Sequence, residues 1–148
     1  MEQYMKVLYT AEATVHGGRE GEARSSDGNL IVRLSPPKEM GGPGEGTNPE
    51  QLFAVGYAAC FQSALIRVAQ REQMDASQST ITSRVGIGPN GQGGFGLEVE
   101  LRVSLPGVDT ATGEKLLELA HQVCPYSNAT RGNIPVKLTF EEQSLAPL

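Results

Sequence analysis

An uncharged segment in the middle of the chain constrains the fold most. Residues 51–66 carry no charged side chain, and their large apolar residues point in every direction around a helix. Before the segment, Asn48 can cap a helix, Pro49 suits its first turn, and Glu50 complements its positive end. A helix that is apolar all round must be buried all round. The sequence therefore predicts a central buried helix that begins near residue 49.

We expect protein rather than lipid to bury this helix. The uncharged stretch is shorter than the roughly 18 residues of a membrane span, and Gln51, Gln62 and Ser63 interrupt it. The chain has 148 residues, which predicts a single domain over residues 1–148 with little material to wrap such a helix. We therefore predict a homodimer, in which a second copy covers part of the helix, and no membrane partner.

Six segments of β-prone or alternating residues predict strands on both sides of the helix. They lie at residues 7–15, 19–25, 30–34, 81–87, 97–105 and 134–140. Gly17 and Gly18 predict a hairpin turn between the first two strands. A second helix is expected over residues 112–123, with a short helical turn between Pro125 and Gly132. This order predicts an α+β fold with antiparallel sheets around the central helix.

A loop rich in glycine and proline precedes the central helix. Eight of the fifteen residues at positions 35–49 are Gly or Pro, too many for a regular element. The sequence leaves two interpretations open, an irregular surface loop or a loop that lines or covers a site.

Charge and short motifs exclude several classes of partner. The chain has 12 Lys and Arg against 17 Asp and Glu, a net charge of −5, and no long basic run. Nucleic acid is therefore not expected as a partner. Neither a P-loop nor a G-x-S-x-G motif occurs, so no nucleotide cofactor is indicated. The first residues do not resemble a secretory signal, and we expect the protein in the cytoplasm.

Cys60 and Cys124 are the candidates for redox chemistry. Two cysteines are too few for a disulfide scaffold, and permanent bridges are rare in a reducing compartment. If they pair, the pairing is expected to be part of a reaction. Cys60 lies in the predicted central helix with Gly56 and Ala64 one turn away on either side. These small residues predict a pocket above the sulfur.

The cysteines also have inert interpretations, which the residues leave open. Apolar surroundings raise the pKa of a thiol, so a reactive Cys60 requires a cation, and arginine suits that role. Otherwise Cys60 is a small buried hydrophobe. Cys124 precedes Pro125, near a helix start that favours a thiolate, or it merely ends a helix. A zinc site at His121 and Cys124 would also need His16 and Cys60, from distant segments.

Two motifs resemble those of a known family. Ala59-Cys60-Phe61 lies within residues 48–64, and residues 123–133 read Val-Cys-Pro-Tyr-Ser-Asn-Ala-Thr-Arg-Gly-Asn. Both are similar to motifs of the organic hydroperoxide resistance proteins, the Ohr branch of the Ohr/OsmC family. The resemblance extends over about residues 6–141. It implies an OsmC/Ohr-like fold and an intertwined homodimer with active sites at the interface.

The resemblance also implies an activity. It indicates a thiol peroxidase without a cofactor that reduces alkyl and fatty-acid hydroperoxides to alcohols. Cys60 would be the peroxidatic cysteine and Cys124 the resolving one, with Arg19 and Glu50 as the matching arginine and carboxylate. Dihydrolipoyl groups or lipoylated proteins would reduce the resulting disulfide. Spacing alone does not select Arg19 among the arginines of the chain.

Two other functions remain open, an OsmC-type peroxidase of broader specificity and a non-catalytic module that holds a lipid-like molecule. For the peroxidase, an apolar flank of Phe53, Tyr57 and Phe61 would favour organic peroxides over hydrogen peroxide. A regular helix would place Glu50 about 15 Å from Cys60 along its axis. This distance leads to the hypothesis that Arg19 and Glu50 act on the Cys60 of the partner chain.

Overall fold

Six strands and three α-helices form two three-stranded sheets, each in its own unit of the chain. The computed structural model describes residues 5–143, of which the first unit has 5–49 and the second 50–143. The strands are β1 Ala13–His16, β2 Glu22–Ser25, β3 Ile31–Arg33, β4 Thr80–Pro89, β5 Phe95–Pro106 and β6 Val136–Gln143. The helices are α1 Pro49–Arg71, α2 Thr110–Val123 and α3 Pro125–Thr130. The predicted α+β class is confirmed.

The sheet of the first unit is antiparallel, in the order β1-β2-β3. Ala13 lies opposite Ser25 and His16 opposite Glu22. The strand predicted from residue 7 begins only at Ala13. The prediction was wrong for residues 7–12 because β2 ends at Ser25, so the chain upstream of Ala13 extends beyond its partner strand.

The turn between β1 and β2 is wider than a simple hairpin. Gly17 and Gly18 have positive φ angles of 80° and 58°, as the predicted turn requires. A 3₁₀ turn then spans Gly18–Glu20, and a Cβ on Gly21 would lie only 1.5 Å from the His16 carbonyl oxygen. The predicted strand start at Arg19 was therefore wrong, because Arg19 lies half-buried on this turn and β2 begins at Glu22.

The segment at residues 35–49 is a locally folded loop. It contains a 3₁₀ helix, Lys38–Met40. The Ser35 N–H donates to the Thr47 carbonyl at 2.8 Å, and the Thr47 N–H donates to the Arg33 carbonyl at 2.9 Å. These bonds join the two ends of the segment, so it is an ordered loop despite its composition.

The sheet of the second unit has the order β4-β5-β6. β4 and β5 pair in antiparallel fashion, with Thr80 opposite Ser104 and Pro89 opposite Phe95. β6 pairs with the other edge of β5 in parallel, which the predicted antiparallel arrangement did not include. The reason is the connection, since α2 and α3 carry the chain back to the end at which β5 starts.

One side of α1 is buried in the core of the second unit. Its buried residues pack with β5 and α2, and they are Tyr57, Phe61, Ala64, Leu65, Val68 and Ala69. A row spaced four residues apart is exposed instead, and it comprises Gln51, Val55, Ala59, Ser63 and Arg67. Val55 is 69% exposed. Within the second unit the helix is therefore buried on one side only, and its cover on the other side stays part of the homodimer prediction.

The observed length of α1 bears on the expectation that the helix does not span a membrane. The helix continues to Arg71 and has 23 residues, so among the described residues it has the length and composition to cross a membrane. The length of the uncharged stretch therefore does not by itself exclude a membrane span, and the absence of a membrane partner stays a prediction. Core helices of soluble proteins share these properties, so they do not distinguish the two environments.

Candidate active site

The two cysteines meet in the second unit. The Sγ atoms of Cys60 on α1 and Cys124 at the α2–α3 junction lie 3.4 Å apart. Both are free thiols, and Cys124 is fully buried whereas Cys60 is half-buried. A disulfide needs a sulfur separation of about 2 Å, so a small approach of the two side chains would allow a bond. The structure therefore brings together two of the four predicted site residues.

The position of Cys124 follows from the proline after it. The Cys124 N–H donates to the Ala120 carbonyl at 2.9 Å, and this bond closes the last turn of α2. Cys124 is also the N-cap of α3, with Pro125 in the first turn. Because proline suits that position and cannot continue the preceding helix, the chain changes direction at this cysteine. The predicted helix start after Cys124 is confirmed.

The surroundings of Cys60 act on its acidity in opposite directions. Burial raises the pKa of the Cys60 thiol above its ordinary value, and the neighbouring Cys124 raises it as well. The backbone N–H of Tyr126 donates to the sulfur and lowers the pKa, but the net shift is upward. The start of α3 thus acts on Cys60, whereas the sequence argument had assigned its effect to Cys124.

Tyr126 fills the space that the sequence assigned to a pocket. A Cβ on Gly56 would lie 2.9 Å from the Tyr126 hydroxyl oxygen, so only glycine lets this ring pack against α1. The ring centroid of Tyr126 lies 6.0 Å from that of Phe53 and 5.7 Å from that of Tyr57. The prediction of open space was therefore wrong on the Gly56 side of the sulfur, because an aromatic ring occupies that space.

The predicted apolar flank is also only partly available to a substrate. Tyr57 and Phe61 have no exposed surface, so they belong to the core. Phe53 is half-buried, and Tyr126 is 39% exposed. Of the aromatic side chains in this group, Phe53 and Tyr126 are therefore the ones with accessible surface. Tyr126 was not among the predicted site residues, although it directly follows the Cys-Pro pair.

A hydrogen-bonded cluster lies between α1, α2 and α3. The Tyr57 hydroxyl oxygen lies 2.8 Å from Ser127 Oγ and 3.1 Å from Thr130 Oγ1. His121 Nδ1 lies 2.8 Å from the same Ser127 Oγ. Burial and then the Arg131 charge lower the pKa of His121, while Glu118 raises it. Within residues 5–143, no group of three or more His, Cys, Asp or Glu side chains is arranged to hold a metal ion.

The other two predicted site residues, Glu50 and Arg19, lie at other points along the chain. Glu50 is the second residue of α1, and the helix continues without a break through Cys60. Their separation along the axis is therefore about 15 Å, as a regular helix requires. Arg19 belongs to the first unit, on the turn Gly18–Glu20. The roles of Arg19 and Glu50 stay predictions.

Comparison with known proteins identifies the family of this chain. The sequence profile described as "OsmC-like protein" matches residues 42–139, which is more than half of the chain. This chain belongs to the OsmC-like protein family. It is 59% identical over 137 residues to an organic hydroperoxide resistance protein of Xanthomonas axonopodis pv. citri, covering 91% of this chain and 96% of the relative. The resemblance to the Ohr branch is thus confirmed.

Solved structures of OsmC-like proteins support the same assignment. An organic hydroperoxide resistance protein from Elizabethkingia anophelis is 51% identical and has a TM-score of 0.89, covering 94% of this chain and all of its own. The organic hydroperoxide resistance protein OhrB of Bacillus subtilis is 42% identical with a TM-score of 0.84, covering 91% of this chain and all of its own. The OsmC/Ohr-like fold is therefore confirmed.

Proposed function

We propose that this chain is a cysteine-based organic hydroperoxide reductase. The observation that carries the proposal is the 3.4 Å separation of the Cys60 and Cys124 sulfurs in a chain of this family. Relatives at 59% and 43% identity are named organic hydroperoxide resistance proteins, which supports hydroperoxides as the substrates. The half-buried thiol is the one that a substrate can reach, so Cys60 is the peroxidatic cysteine and the buried Cys124 the resolving one.

The reaction has two covalent steps. The Cys60 thiolate attacks the distal peroxide oxygen, the O–O bond breaks, and the alkoxide leaves as an alcohol after taking a proton. The peroxide is reduced and Cys60 becomes a sulfenic acid. The Cys124 sulfur then attacks the Cys60 sulfur, and the hydroxyl group leaves as water with the Cys124 proton. The disulfide that results is the oxidised resting product.

A cation is needed to make the first step fast near neutral pH. Burial raises the pKa of Cys60, so the thiol alone would be largely protonated there. We propose that the Arg19 guanidinium favours the thiolate and stabilises the charge on the departing oxygen. Glu50 would orient that guanidinium through a bidentate pair. Because α1 keeps Glu50 about 15 Å from its own Cys60, we propose that the pair acts on the partner chain.

A homodimer is the assembly that this arrangement requires. The exposed row on α1 consists of uncharged side chains from Gln51 to Ser63, and a second copy would cover it. Val55→Asp would place a charge in that interface. We expect the variant to sediment as a monomer while its far-ultraviolet circular dichroism stays that of the wild type. A wild-type chain that sediments as a monomer would contradict the homodimer.

The substrate class follows from the accessible surface near Cys60. The backbone N–H of Tyr126 donates to Cys60, and the Tyr126 ring lies 6.0 Å from the Phe53 ring. This aromatic surface would stabilise an alkyl chain but gives hydrogen peroxide nothing to bind. We therefore propose alkyl and fatty-acid hydroperoxides as substrates. A dihydrolipoyl group is proposed as the reductant, because a flexible dithiol on an apolar chain suits the same surface. The proposed location is the cytoplasm, where thiols are kept reduced.

Intact-mass measurement tests the proposed function directly. The reduced chain is mixed with one equivalent of cumene hydroperoxide, and the enzyme should lose two hydrogens as the Cys60–Cys124 bond forms. Dihydrolipoamide should restore the original mass faster than glutathione, and hydrogen peroxide should react more slowly than the organic peroxide. An unchanged mass would support a non-catalytic binding module instead. Equal rates with both peroxides would support the broader OsmC-type specificity.

A further inference from the structure

The hydroxyl cluster beside the thiols links the same two segments that carry them. Tyr57 precedes Cys60 by three residues on α1, and Ser127 follows Cys124 by three residues on α3. Their oxygens lie 2.8 Å apart, and both side chains are fully buried. The bond from Tyr57 to Ser127 therefore spans the gap between α1 and the junction that holds Cys124. His121 on α2 adds a second bond to Ser127 Oγ.

Every hydroxyl group of the cluster has a hydrogen-bond partner in both charge states of His121. With neutral Nδ1 as acceptor, Ser127 donates to His121, Tyr57 donates to Ser127, and Thr130 donates to Tyr57. When Nδ1 carries a proton it donates to Ser127, and every hydroxyl bond reverses. Thr130 then donates to the Ser127 carbonyl at 3.3 Å. No oxygen is left without a partner in either state, so the cluster can hold its geometry across the titration of His121.

The positions of α1 and α3 matter because the Cys60 sulfenic acid has two possible fates. Cys124 can attack it and form the disulfide, or a second peroxide can oxidise it to the sulfinic acid. The first route is intramolecular, so its rate depends on how well the two sulfurs are held together. The second route is bimolecular and does not depend on Cys124. A change that loosens α3 on α1 therefore shifts the outcome toward the sulfinic acid.

We infer that Tyr57 and Ser127 are positioning residues that hold Cys124 within reach of the Cys60 sulfenic acid. The inference rests on the proposed function. Neither hydroxyl touches the reacting atoms, and they act through the placement of the Cys124 backbone. Loss of one buried hydrogen bond of this kind should slow disulfide formation about fivefold to tenfold.

Tyr57→Phe is the main test, because it removes the hydroxyl and keeps the ring that packs against Phe53 and Tyr126. Ser127→Ala removes the other partner of the same bond. Ser83→Ala is a matched control, because Ser83 Oγ is buried and has no hydrogen-bond partner within the described residues 5–143. Each reduced variant is mixed with increasing cumene hydroperoxide. Intact mass then gives the ratio of disulfide to doubly oxygenated Cys60, and rapid quenching gives the rate of the first oxidation.

In Tyr57→Phe and Ser127→Ala, we expect half of Cys60 to be doubly oxygenated at a peroxide concentration about fivefold to tenfold lower than in the wild type. The rate of the first oxidation of Cys60 should change less than twofold. Ser83→Ala should match the wild type. In the double variant the effects should be less than additive, because both substitutions break the same bond between Tyr57 and Ser127. A wild-type product ratio in Tyr57→Phe would overturn the inference, even if Ser127→Ala fails to fold. A wild type that forms no disulfide would instead overturn the proposed function.

Discussion

The first and second units bury their alternating strands to very different degrees. In the second unit, Val99, Leu101 and Val103 of β5 are at most 3% exposed. In the first, Val15 of β1 and Ile31 of β3 are 53% and 68% exposed. Alternation of apolar and polar residues thus shows which face of a strand is suited to burial. It does not show whether another element packs on that face. The second unit provides its own cover in α1 and α2, whereas residues 5–48 contain only strands, 3₁₀ turns and loops.

Both cysteines lie in the second unit, the one with the packed core, so we place the sulfur chemistry there. Cys60→Ser tests this placement and has the largest expected effect. The variant lacks the nucleophile, so peroxide consumption should fall by about a thousandfold or more. Cys124→Ser is the control, since it should still reduce a first equivalent of peroxide and then accumulate oxidised Cys60. Consumption at the wild-type rate by Cys60→Ser would place the reaction elsewhere.

The first unit should contribute charge rather than sulfur, and Arg19→Gln tests this contribution. Removing the proposed cation raises the pKa of the Cys60 thiol further, so less thiolate is present at pH 7. We expect the rate with cumene hydroperoxide to fall about 10- to 100-fold and the pH–rate profile to move to higher pH. Arg24→Gln, on the exposed face of β2 in the same unit, should keep the wild-type profile. Equal losses in both variants would argue for a general charge effect.

The tight packing of the second unit is tested by Gly113→Ala on α2. The added Cβ would lie 2.3 Å from the Phe140 ring, so the ring or the helix must shift. Although alanine favours a helix, the overpacking should dominate and lower the free energy of unfolding by about 1 to 3 kcal/mol. Urea denaturation measures this loss. Gly88→Ala on β4 is the control, because a Cβ there meets nothing within 4 Å.

The smallest expected effect concerns pH and His121. Its pKa is lowered in the folded chain, chiefly by burial, so the unfolded chain binds more protons in mildly acidic solution. The stability that neutral His121 contributes is therefore present above about pH 6.5 and is lost as the pH falls below that value. In His121→Asn, the melting temperature should fall less between about pH 7.5 and pH 5.5 than in the wild type. An identical fall would assign the pH dependence to other groups.

Features encoded by neighbouring residues were predictable from the sequence. The start of α1 follows from Asn48 and Pro49, and the junction at Cys124 follows from the proline after it. The alternation of residues 97–105 identified β5, which spans Phe95–Pro106. In each case a few adjacent side chains determine the backbone conformation, so no distant contact is needed.

Features that depend on distant partners were not predictable. Tyr126 occupies the space at Gly56 because α3 packs against α1, and the spacing of small residues on one helix contains no information about that contact. The proximity of Cys60 to Cys124 followed from the family resemblance rather than from spacing. Likewise, the start of β1 depends on where its partner β2 ends. Sequence patterns indicate which face of a helix or strand can be buried. Tertiary contacts determine which residues cover that face.

The parallel pairing of β6 with β5 has a consequence for synthesis of the chain on the ribosome. β6 is separated from β5 by α2 and α3, so one edge of β5 has no partner until both helices and the last strand have emerged. An open edge with apolar residues such as Leu101 is a site for pairing between nascent chains. Slow translation or truncation before Val136 should therefore promote aggregation more than the same interruption placed after β6.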